Sequence, residues 1–127
     1  MPRVRGHGNV EMIKDIAFTV YCVRDVPRAT AFYRDLLGLE PGEAFNERFV
    51  EFNVGSSTFA LDGDPPGYEP GTCTGVNFEV NDIFAARERL VESGVEISEI
   101  YDFPTCSVCF LKDPDGNRLA LHQRKTR

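Results

Sequence analysis

"VRDVPRATAFYRDLLG", residues 23–38, is a helix with both ends marked. Asp25 offers a side-chain oxygen to the first free backbone amides, and Pro27 falls in the opening turn, where its missing N–H costs nothing. Val26, Ala29, Phe32, Tyr33, Leu36 and Leu37 recur at spacings of three and four, so they form one apolar stripe, and Gly38 supplies the stop. Just before it, "IAFTVYCVRD" (16–25) is β-branched and aromatic enough to be a strand. Beyond it, a short extended segment is expected near 40–46. "ERFVEFNVGSSTFALD" (47–62) then reads as two strands turning at Gly55-Ser56, with Val50, Phe52, Val54, Phe59 and Leu61 on one face.

The same order returns further along. "GVNFEVND" (75–82) is a strand, Asp82 a cap, "IFAARERLVESG" (83–94) a helix and "CSVCFLKDPDGNRLALHQ" (106–123) a hairpin. Val23-Arg24-Asp25 is answered by Val80-Asn81-Asp82, 57 residues on. A repeat of this period implies units that cannot each bury an apolar face alone. In the hairpin, Pro114, Asp115 and Gly116 have the chemistry of a three-residue loop, which pairs Leu111 with Leu119. Strand alternation then sends Arg118, Ala120 and His122 to the face opposite Leu119 and Leu121.

These elements predict an α+β fold of two tandem βαβββ modules, residues 14–62 and 75–123, joined by the proline- and glycine-rich linker 63–74 within one domain spanning 1–127. Each helix covers one sheet face, and the other faces curl around a cavity as a cupped mixed sheet. The side chains left for that cavity are Phe18, Val20, Cys22, Glu51, Asn53, Thr58 and Ala60 from the first module. The second supplies Gly75, Asn77, Glu79, Val108, Phe110, Arg118, Ala120 and His122.

With 127 residues and 42% hydrophobic content the chain can build a real core, and its net charge of −6 argues against nucleic acid or an anionic membrane as partner. No stretch approaches the roughly 20 apolar residues of a membrane span, and "MPRVRGHGNV" has no apolar leader core, so a cytoplasmic chain with reduced cysteines is expected. Cys106 and Cys109, three apart on a strand, point to opposite faces and read as small packed hydrophobes rather than a metal or redox pair. His7 lies in a glycine-flanked tail and reads as a surface residue.

The motif V-x-D-x-x-x-A-x-x-FY-x-x-x-LG at 23–38 and "DPDGN" at 113–117, inside a tandem repeat covering about 14–123, resemble the vicinal-oxygen-chelate superfamily, the glyoxalase / bleomycin-resistance / dioxygenase group. The resemblance implies modules shared or exchanged across a homodimer. It also implies, in the metal enzymes of the group, ligands at four cup-facing slots that map here onto Phe18, Ala60, Gly75 and Ala120. None of these side chains has a lone pair for a divalent ion, so no metal cofactor is expected. The expected function is binding of an aromatic or cationic small molecule, with Phe18, Phe49, Tyr101, Phe103 and Phe110 as aromatic walls and Glu51 and Glu79 reading positive charge. A buried Glu79, resisting ionisation unless Arg118, Asn77 or a ligand cation satisfies it, goes with that reading. The alternatives are an enzyme, with a relocated metal at Glu51, Glu79 and His122 or with Glu79 or His122 moving protons, and an interaction module whose cup is filled by its own side chains.

Overall fold

A computed structural model describes residues 12–43, 46–63 and 65–126, so His7 lies outside the described residues. The first half runs β1 (Thr19–Cys22), α1 (Val26–Ala31), one π-helical turn (Phe32–Leu36), β2 (Glu40–Pro41), β3 (Phe49–Val54) and β4 (Ser57–Asp62). The second runs β5 (Val76–Glu79), α2 (Ile83–Glu92), β6 (Tyr101–Asp102), β7 (Cys106–Lys112) and β8 (Arg118–Arg124). Both helices start where their aspartates predict. Asp25 accepts the Arg28 amide, and Asp82 accepts those of Phe84 and Ala85.

Two four-stranded mixed sheets result, in the orders β1-β4-β3-β2 and β5-β8-β7-β6. β1 is parallel to β4 and β5 to β8, while the remaining pairs are antiparallel. Leu111 does pair with Leu119, and Val50, Phe52 and Val54 sit opposite Leu61, Phe59 and Ser57. The strand expected over 16–25 is shorter than its composition suggests. Only Thr19 to Cys22 find partners on β4, and Ile16 is exposed ahead of them. The extended segment near 40–46 reduces to β2 and a bridge from Asn46 to Phe49, with residues 44 and 45 outside the described set.

Helix stripes and inner strand faces meet in one core that runs through both halves. Phe59 of β4 meets Phe78 of β5 edge to face at 5.5 Å, and Tyr33 packs against Phe59 at 5.1 Å. The "DPDGN" loop locks the halves together. Its three-residue loop closes through the Asp113 amide to Asn117 O at 2.9 Å, with Gly116 at φ +101°. Asn117 is fully buried: its amide group donates to Cys22 O and Asp113 Oδ2, and its oxygen accepts the Cys73 amide. Asp113 also accepts the Tyr33 hydroxyl at 2.8 Å. Burial, with the Asp113 carboxylate beside it, pushes the Tyr33 hydroxyl far above its ordinary range. Arg24 and Arg28 reach across to Asp115 and to Pro114 O. Where the linker crosses this loop, Gly71 stands at φ +89°, and a Cβ there would run into Asp115 O.

Candidate functional site

The register fixes which side chains share the faces turned away from the helices. On the first sheet, Val20, Ala60 and Glu51 form one row and Cys22, Asp62 and Phe49 the next. On the second, Asn77, Ala120 and Phe110 form one row, and Glu79, His122, Val108 and Tyr101 another. Alternation assigns these faces correctly, but not their depth. Ala60, Ala120, Cys22 and Val108 are buried, whereas Asn77 and Glu79 are exposed, as is Phe18, which lies edge-on to Phe49 at 5.9 Å.

Among the described residues, the side chains assigned to the cavity line separate hollows. A cleft of about 370 Å³ between the start of β4 and β5 brings Thr58, Gly75, Asn77 and Glu79 together. A hollow of about 680 Å³ near the end of β8 holds His122, Cys106 and Arg124. Phe110 and Arg118 line a third, of about 870 Å³, with Phe32 and Leu36 of the π turn on its far wall. Arg118 lies over the Phe110 ring at 4.6 Å, so it is not the partner of Glu79.

Glu79 departs furthest from expectation. Its side chain is 52% exposed, so desolvation does not hold it neutral. Oε2 accepts the Arg124 amide at 2.6 Å and Oε1 meets His122 Nδ1 at 2.6 Å. The Arg124 N–H first, and His122 second, hold its carboxyl below the usual range. Glu79 is the last residue of β5 and pairs in register with His122, which sets its carboxylate beside the imidazole and within reach of the Arg124 N–H further along β8. With Glu79 ionised, Nδ1 is the donor, and Nε2 of His122 is left for another partner. Asn77 turns its amide to Gly75 O. Cys22 is packed beneath the cup face, its amide 3.3 Å from Cys73 Sγ, and burial together with Cys73 pushes its thiol up to about 11. All four cysteines are free.

The family model for the glyoxalase/bleomycin resistance protein/dioxygenase superfamily matches residues 15–121. The chain belongs to this superfamily. No curated protein matches it in sequence. Among solved structures it is similar to TnmS3, an antibiotic binding protein from Streptomyces sp. CB03234, with a TM-score of 0.83 at 23% identity over 91% of this chain and 100% of that one. A lactoylglutathione lyase from Agrobacterium tumefaciens superposes with a TM-score of 0.72 at 21% identity, over 89% of this chain and 96% of the other. At such identities the likeness is one of fold.

Within the superfamily, metal enzymes need donors at slots that Phe18, Ala60, Gly75 and Ala120 fill here, and hydrocarbon side chains and a glycine hydrogen do not fit a divalent ion. Glu79 and His122 meet, but Glu51 does not join them: among the described residues no three His, Cys, Asp or Glu side chains converge closely enough to hold a metal. No helix in the described residues is long and apolar enough to cross a membrane.

Proposed function

We propose that this chain is a metal-free, small-molecule-binding member of the superfamily that acts as a cytoplasmic homodimer and sequesters an aromatic or cationic compound in the cleft between β4 and β5. Glu79 carries the reading. Among the described residues it is the only charged one lining that cleft, its carboxyl is held below the usual range, and Thr58, Asn77, Phe59 and Val54 surround it with apolar surface and a few polar atoms. Such a wall favours a flat, positively charged guest. The hydrocarbon side chains at the metal slots speak for binding without a metal. Pairing of two copies is supported by the outer edge of β1, which has no strand partner among the described residues, and by the exposed Ile13, Ile16, Phe18 and Val20 along or just before it.

A thermal-shift screen of aromatic amines and quaternary aromatic cations, run with and without chelator and followed by mass spectrometry of the recovered compound, tests this. The expected result is a chelator-insensitive stabilisation, weakened about tenfold in apparent Kd by Glu79→Gln, with the compound recovered unchanged. Conversion of the compound would replace sequestration by acid–base catalysis at Glu79 and His122, and a requirement for added metal would overturn the metal-free reading. Light scattering that gives a monomer at micromolar concentration would remove the homodimer.

A further inference from the structure

The hollow near the end of β8 holds Cys106, His122 and Arg124, none of which lines the cleft. β8 is the middle strand between β5 and β7, so His122 has Glu79 beside it on one side and β7 on the other. Val108 stands directly opposite His122, and Cys106, which pairs with Arg124, is its diagonal neighbour on the same face. Diagonal neighbours across an antiparallel pair lie about 7–8 Å apart, within reach of an imidazole directly or through one water. Because Nδ1 is committed to Glu79 at 2.6 Å, the other ring nitrogen is the one left to face away from β5. Cys106 is free and half-buried, and it lines the same hollow as His122 and Arg124. Its neighbour Cys109 lies on the other face, sealed in the core. The Arg124 guanidinium has no carboxylate within ion-pair distance among the described residues, whereas Lys125 is held by Asp102 at 2.9 Å.

We propose that Cys106 and His122, with Glu79 as the positioning residue, form a base-assisted nucleophilic thiol site for small electrophiles that carry a carboxylate, which Arg124 receives. The Cys106 proton passes to Nε2 of His122 as Sγ attacks the electrophilic carbon. Glu79 holds the imidazole in the accepting tautomer and then faces the imidazolium. With an activated double bond, the S–C bond forms as the π bond breaks, and the imidazolium returns its proton to the adjacent carbon. With a haloacetate, the S–C bond forms as the carbon–halogen bond breaks and the halide leaves with the electron pair. Neither step needs an oxidant or a second reactant.

Cys106, His122 and Arg124 lie outside the cleft, only Glu79 is shared with it, and the test does not depend on the cleft ligand. Alkylation of the native protein by iodoacetate and by iodoacetamide at pH 7 is followed by peptide mass spectrometry, with glutathione as the reference thiol. Cys106 is expected to react first among the four cysteines. Its preference for iodoacetate over iodoacetamide should exceed that of glutathione by about tenfold, on the scale of one favourable charge contact. Arg124→Met should abolish this preference, slowing iodoacetate about tenfold more than iodoacetamide. His122→Gln should slow both reagents about tenfold or more, in the range for loss of a general base. Glu79→Gln should alter the pH profile of Cys106 alkylation, and Glu79→Asp should restore it, neither of which a purely structural role would produce. Reactivity of Cys22 and Cys109 reports unfolding of any variant. If His122→Gln unfolds, the wild-type reagent ratio and Arg124→Met still decide the matter. A reagent preference equal to that of glutathione, or a Cys106 rate indifferent to His122, would overturn the proposal.

Discussion

Asn117 shows how much a single buried amide can carry. It satisfies Cys22 O, the Cys73 amide and an Asp113 oxygen at once, in a place water does not reach. Asn117→Ala leaves the Cys73 amide without its partner and takes one donor each from Cys22 O and Asp113 Oδ2, and should cost about 3 kcal/mol of unfolding free energy, measured by urea denaturation at pH 7. A loss under about 1 kcal/mol would mean that solvent or a shifted neighbour replaces the amide. Glu79 makes a pH prediction. Its folded carboxyl titrates below the ordinary value of 4.5, so its stabilising contribution is complete above that value and disappears as the pH falls through the folded-state value. Wild type should therefore exceed Glu79→Gln in stability at neutral pH and converge with it in strong acid; a gap that persists at pH 2 would contradict the assignment. Alternation along β5 made the face of Glu79 legible in the sequence. It could not give the depth, because exposure depends on what packs above the strand, and so the buried carboxylate of the sequence reading becomes an exposed one clamped by His122 and a backbone N–H.

The helices were the most legible elements, since a cap, a first-turn proline and a 3.6-residue stripe act within a dozen residues. Asp82 accepts two amides at 3.1 Å at the start of α2. Asp82→Ala should cost about 1 kcal/mol by thermal denaturation followed by circular dichroism, and Asp82→Ser should restore most of it. The hairpin register of β7 and β8 was legible for a similar reason, its loop being only three residues long. The π turn at Phe32–Leu36 was not legible, as nothing in its composition separates it from an ordinary helical turn. β1 was overestimated because β-branched and aromatic residues mark where a strand can form, whereas its length is set by the partner strand, which meets only Thr19 to Cys22.

Over the whole molecule, the two repeats are not two folding units. Tyr33 of the first half hydrogen-bonds Asp113 of the second, Phe59 packs on Phe78, and the Tyr21 hydroxyl accepts the Val76 amide while donating to Arg118 O. Neither half can satisfy these groups alone. The intact chain should unfold in a single transition with coincident probes, and a fragment ending within the linker should lack a cooperative transition in urea; a fragment that folds alone would show that the clasp is dispensable. The sequence by itself determined the repeat, the helix limits and the hairpin register. Each of those depends on stereochemistry or periodicity within a short stretch of chain. Only the tertiary structure decided that Asn117 caps Cys22 from 95 residues away, that Glu79 orients His122 across 43, and which side chains share each hollow. Such meetings follow from how both sheets and both helices bury one shared core, a free-energy balance that no local pattern contains.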